Sequence, residues 1–227
     1  MMARVVYSTG MKGPVEQRKR KGKGAGEYDG GIHAKRKALS AVASLGANTV
    51  WVRPINGGYN PDDYYRIDVE VGTSDEFRDY VNRAHAAGIG VWHDAVAHGG
   101  SSHFLRFKEH PEWLTYKKDG KPTWTYWCAD FNWPSWIDYM SKYVEDYTRR
   151  YNLDGWRMNV PYGSRSDNWN RSIPYARASY AQWQGGLNQQ RGMRAGARRA
   201  NPAAITLAES LCNAAMSAAG GKSRKPL

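Results

Sequence analysis

Four polar residues stand where short apolar runs end: Asp94, Arg157, Asn159 and Glu209. The run Leu153-Asp154-Gly155-Trp156-Arg157-Met158-Asn159-Val160 reads as a buried strand, stopped by Pro161-Tyr162-Gly163. Strand alternation puts Gly155, Arg157 and Asn159 on one face and Trp156 and Met158 on the other. A guanidinium and an amide at the end of a buried strand must be bonded, because unpaired polar groups are costly inside. Bonds to nearby backbone would suffice for a structural arginine. Asp94 and Glu209, also at strand ends, make a second use available. Asp94 could fix the arginine, and Glu209 could exchange a proton with a bound molecule beside residue 159.

The elements that must position these residues alternate. Arg4–Ser8, Thr49–Val52, Ile89–Trp92, Leu153–Val160 and Ile205–Ala208 read as strands. Helical spacing covers 32–45, ending at Gly46, and 73–87, where Thr73 and Glu76 fit a capping box and the helix ends near Gly88. It recurs over 134–151 and over the basic stretch 187–200. Residues 9–29, 57–65, 99–132 and 162–183 read as loops, the last as loop or broken helix. The 99–132 stretch is longer than an ordinary connection. Strand–helix alternation with decorated strand ends predicts a parallel α/β fold, doubly wound or a (β/α)8 barrel, with the site at the strand tops. The absence of a glycine-rich phosphate cradle after a strand argues against nucleotide binding.

The chain has 227 residues and a net charge of +12, yet the charge is not spread over the fold. Residues 1–27 hold seven basic and two acidic groups and residues 190–227 hold seven and one, which leaves 28–189 nearly neutral. That distribution argues against a nucleic-acid partner. No apolar run is long enough for a membrane span, and the beginning lacks a signal-peptide core, so the cytoplasm is the default expectation. Cys128 and Cys212 make neither a disulfide framework nor a metal cluster. His93, His98 and His103 lack a companion ligand at standard spacing, so no metal site is expected.

Adjacent strand tops at 159 and 209 could set two catalytic groups about 5–5.5 Å apart, the separation a retaining glycosidase needs between nucleophile and acid/base. Four stretches then carry a resemblance. Gly58-Tyr59-Asn60-Pro61-Asp62-Asp63-Tyr64-Tyr65-Arg66-Ile67-Asp68 with Gly72-Thr73 and Phe77, Ala87-Gly88-Ile89-Gly90-Val91-Trp92-His93-Asp94-Ala95-Val96, Asp154-Gly155-Trp156-Arg157-Met158-Asn159 and Thr206-Leu207-Ala208-Glu209 follow one another in order. Together they resemble the α-amylase superfamily, glycoside hydrolase family 13, around its second to fifth strands.

The resemblance implies a (β/α)8 barrel of which about five strand–helix units are present, with a long insertion after the third strand. It implies a retaining enzyme of carbohydrate metabolism acting on α-glucosidic bonds of oligo- or polysaccharides. Glu209 falls at the acid/base and Asn159 at the nucleophile position, where the family has an aspartate. Tyr59, Tyr64, Asp94, His98 and Arg157 fall among substrate-binding positions, the tyrosines as a sugar platform. His98-Gly99 replaces an Asn-His pair, so the family's calcium ligand and a sugar-holding histidine are both altered, and no cofactor is expected. An amide is a very poor nucleophile, so weak or absent turnover is expected. A non-catalytic carbohydrate-binding relative is the alternative. Trp124, Trp127, Trp133, Trp136 and Trp169 offer aromatic faces that suit sugars, although partial burial is the commonest fate of a tryptophan. The family's last motif, on the seventh strand, is not in this stretch. Open first and fifth strands would then favour self-association, more so in salt, which screens the basic ends.

Overall fold

The computed structural model describes residues 5–8, 31–116, 121, 129–159 and 178–209, with the side chains of 5–8 and 178–184 left aside. Five strands form one parallel sheet in the order β1-β2-β3-β4-β5, namely Val5–Ser8, Thr49–Val52, Gly90–Val96, Gly155–Asn159 and Ile205–Ala208. The main helices are α1 (Gly31–Ser44), α2 (Ser74–Ala86), α4 (Pro134–Tyr151) and α5 (Ala178–Ala200), with a single turn α3 (Arg106–Glu109) after β3. Each strand therefore neighbours the next in sequence, with a helical return between them, the expected α/β arrangement. Among the described residues β1 and β5 each have one neighbour, and β5 exposes Ile205 and Leu207.

Local chemistry explains the element ends. Thr73 caps α2 with its hydroxyl while Glu76 reaches back to the Thr73 N–H at 2.8 Å, the predicted capping box. Pro134 starts α4, where a missing N–H is harmless, and Asn152 ends it in the left-handed region at φ 56°. Along α4, Trp136, Met140, Tyr143, Val144, Tyr147 and Tyr151 recur at helical steps and are all buried. Tyr143 and Tyr147 meet Trp156 of β4, so the face of that strand opposite Arg157 is sealed by an aromatic layer.

Two boundaries differ from the sequence reading. Strand β3 runs on to Val96, because Val96 pairs with Asn159 in the ladder to β4. Helix α5 begins at Ala178, inside the stretch read as loop or broken helix; 162–177 lies outside the described residues. Gly185-Gly186 suggests a break, yet α5 uses glycine for close approach to α4. A Cβ at Gly185 would collide with the Phe131 backbone, and one at Gly196 with the Ser141 carbonyl. Ser141 Oγ donates to the Gly192 carbonyl at 2.7 Å across the same contact.

His93 lies on the helix-covered face of β3 between Phe77, Tyr147 and Trp156, fully buried, with Nε2 accepting from the Ile55 N–H at 3.4 Å. Burial pushes its imidazole down to about 3, against about 6.5 in an unfolded chain. Between those values the unfolded state binds the extra proton. The contribution of His93 to stability is therefore complete above about pH 6.5 and falls on acidification by about 1.4 kcal/mol per pH unit. Replacing His93 with Gln keeps an acceptor and removes the titration. Urea unfolding of both forms from pH 8 to 4.5 should show a shallower acid slope in the variant; parallel curves would refute the assignment.

Candidate active site

Strand register assembles the site. Asp94 of β3 lies opposite Arg157 of β4, and Arg157 lies opposite Leu207 of β5. The Glu209 N–H bonds the Met158 carbonyl at 3.0 Å, which carries the ladder one step further and sets Glu209 beside Asn159.

Arg157 is the hub. Its Nη1 donates to both Asp94 oxygens, at 3.0 and 2.9 Å, and its Nη2 meets Glu209 Oε2 at 2.8 Å. The guanidinium lies over the Trp51 ring, 4.7 Å from its centre, a stacking that its planar charge favours. Asp94 is fully buried and takes a further bond from the Tyr59 hydroxyl at 3.0 Å. Burial pushes the Asp94 carboxyl up, while Arg157 and Tyr59 pull it down. Because both oxygens accept from a permanently charged group, the geometry serves the carboxylate form. Asn159, 7% exposed, donates from Nδ2 to Glu209 Oε2 at 3.2 Å. Glu209 keeps 26% of its side chain accessible.

His98 sits on the turn after β3, fully buried. Burial, and then the Arg157 charge, push its imidazole down to about 3, with the Asn159 amide pulling weakly the other way. The turn is held from three sides. Gln189 of α5 donates to the Ala97 carbonyl at 2.8 Å, Ala97 N–H bonds the Asn159 carbonyl at 3.2 Å, and Ala129 N–H bonds the His98 carbonyl at 3.2 Å. A buried neutral imidazole beside a guanidinium is not the oxygen-rich set calcium takes. Among the described residues no three His, Cys, Asp or Glu side chains cluster to hold a metal.

The structure thus brings Asp94, Arg157, Asn159, Glu209, Tyr59 and His98 together. It separates the two tyrosines: Tyr59 is half-buried at the site, whereas Tyr64 is 1% exposed. Tyr64 bonds the Val96 carbonyl at 2.7 Å and packs edge-on against Phe104, Trp136 and Tyr143. That position supports the loop and leaves no ring face for a sugar. Trp136 is core as well, bonded through its indole N–H to Gln189, while Trp133 is partly buried against the core. Trp124, Trp127 and Trp169 lie outside the described residues. Trp51, Arg53 and Gln189 were not singled out in the sequence reading. Strand parity could have flagged the first two, which share a face; Gln189 lies in a basic helix and sends no sequence signal.

Comparison with known proteins places this geometry. A family model for the α-amylase catalytic domain matches residues 18–138, more than half of the chain. The chain belongs to the α-amylase family. A cyclomaltodextrinase from a Bacillus species is 25% identical over 160 residues, covering 59% of this chain and 29% of that protein. An oligo-1,6-glucosidase from Heyndrickxia coagulans is 25% identical over 179 residues, covering 60% and 32%. The chain thus spans about a third of these curated relatives. A solved maltogenic α-amylase from Thermotoga neapolitana superposes with a TM-score of 0.61 at 24% identity, over 79% of this chain and 41% of that one. The fold is an α-amylase-type α/β barrel, of which the described residues carry five strands.

The ion pair at its hub yields a prediction. Arg157→Met strands the Asp94 carboxyl in the interior and should cost about 3–5 kcal/mol. The double variant with Asp94→Asn should lose much less than the two single losses combined. Denaturant unfolding of the four proteins in the cycle measures this, and additive losses would show that the pair is not coupled.

Proposed function

We propose that the site binds α-glucosidic sugars and is built for glycosidic bond cleavage with retention. Glu209 is the acid/base, and residue 159 holds the nucleophile's place. The observation that carries this reading is the juxtaposition of Asn159 and Glu209 beside the Arg157–Asp94 pair. It puts the acid/base candidate and the attacking position together at the accessible end of the sheet. The 3.2 Å contact between Asn159 and Glu209 is closer than the about 5–5.5 Å of a retaining pair, so Glu209 must swing off Asn159 to admit a glycosidic bond. Glu209 would protonate the leaving oxygen, Arg157 would orient residue 159 and Glu209, and Tyr59 would pack against the sugar. Oligo- or polysaccharides are the proposed substrates, in line with the relatives' names.

With an amide at 159 the covalent step lacks its agent. Sugar binding with weak turnover is therefore the expected behaviour of this chain. Asn159→Asp supplies the carboxylate. It also removes the donor that Glu209 now accepts from and puts a like charge beside it, which repels Glu209 Oε2 from its place beside residue 159.

The experiment compares Asn and Asp at 159, in this chain and in one extended through the remaining barrel strands. Release of an aryl leaving group from α-glucosides is the readout. Turnover is expected to rise by at least about a hundredfold in the extended Asp form. Glu209→Gln controls for contaminating enzyme. High turnover with Asn159 that survives that control would defeat the reading, as would no gain from Asp in the extended chain.

A further inference from the structure

We infer that the mouth of the sheet holds an anion subsite at Arg53, which would take the phosphate or carboxylate of an acidic α-glucoside. The inference rests on the sugar-site reading above and names a substrate class within it.

Arg53 follows β2 directly, two residues beyond Trp51, so strand parity aims both toward the same face. That face is the one bearing Asp94 and Arg157, since the Trp51 ring lies under the Arg157 guanidinium. Continuing the β2–β3 register past Val52↔His93 brings Arg53 level with Asp94. The side chain confirms this placement. Its guanidinium lies over the Tyr59 ring, 5.3 Å from the centre, and the hydroxyl of that ring is bonded to Asp94. Arg53 is thus one ring's width from the site.

The two arginines differ in what they have left to offer. Arg157 is committed to protein groups, with Asp94 on one terminal nitrogen, Glu209 on the other and Trp51 on its face. Arg53 meets no carboxylate and makes no hydrogen bond among the described residues, and it is half-exposed. Stacking on Tyr59 uses its flat face and leaves the N–H fork open, the geometry that matches phosphate or carboxylate.

Charge balance at the site agrees. Arg157 offsets both Asp94 and Glu209 only in part, and an aspartate at 159 would add a further negative charge against an incoming anion. Asn159 removes that repulsion, and Arg53 supplies a cation that no carboxylate among the described residues claims.

Calorimetric titration of the full chain with maltose, maltose 6′-phosphate, maltobionate and inorganic phosphate tests this. One or both anionic sugars should bind at least about tenfold more tightly than maltose; which one does so tells phosphate from carboxylate. In Arg53→Gln that ratio should fall to about one, and in Arg53→Lys it should partly return, with circular dichroism confirming that both variants fold. Equal affinity for maltose and both anionic sugars would overturn the subsite, as would an unchanged ratio in Arg53→Gln or inorganic phosphate binding as tightly as the sugar. Maltose binding without an anionic gain rejects the subsite alone. A chain that binds none of the sugars rejects the sugar-site reading and the subsite with it.

Discussion

Asp94 and Arg157 face each other across two parallel strands, both almost wholly buried, and this pair constrains the rest of the fold. Taking two charges out of water is expensive, and their attraction offsets the expense only when geometry and extra hydrogen bonds are right. The register β3–β4 supplies the geometry. A one-residue slip of either strand would send its charge to the opposite face, into the layer where His93, Trp156 and Tyr147 pack. Such a slip would bury one ion among aromatic rings and leave the other without its partner. The ion pair therefore penalises every register but one, and the site at the strand tops inherits that accuracy.

The helix-covered face contributes through the same alternation. His93 and Trp156 point to α2 and α4 while their neighbours Asp94 and Arg157 point to the site. Helix α4 seals that layer, and α5 packs on α4 through Gly192 and Gly196, where a side chain would collide with Ile137 and the Ser141 carbonyl. From there Gln189 reaches back to the Ala97 carbonyl and so touches the turn that carries His98. A helix far from the strand tops thus has one polar side chain that fixes part of them.

What the sequence made legible follows from which signals are local. Asp94, Arg157, Asn159 and Glu209 could be found because each ends a strand whose alternation and neighbours are written in a few adjacent residues. Tyr64 could not be told from Tyr59: both sit in one polar loop, and only the fold shows that one ring meets Trp136 and the other Asp94. The start of α5 was missed because glycine weakens a helix by itself, while its use against Phe131 and Ser141 is a tertiary fact. Arg53 was passed over because Pro54 closes the strand, yet parity persists one residue beyond the hydrogen-bonded ladder.

The amide at 159 and the position of Glu209 belong to one charge balance. Arg157 is a single cation that already meets two carboxylates, Asp94 and Glu209. A third carboxylate at 159 would stand beside Glu209 Oε2, where the Asn159 amide now donates at 3.2 Å. Two like charges at such a distance do not both stay ionised; one retreats or takes up a proton. Asparagine removes the conflict by offering a donor in place of a charge, which lets Glu209 close onto Arg157 and Asn159 together. The hydrogen bond that Glu209 accepts from residue 159 therefore depends on the amide that this sequence places there. A carboxylate at 159 would repel Glu209 Oε2 and loosen that pairing.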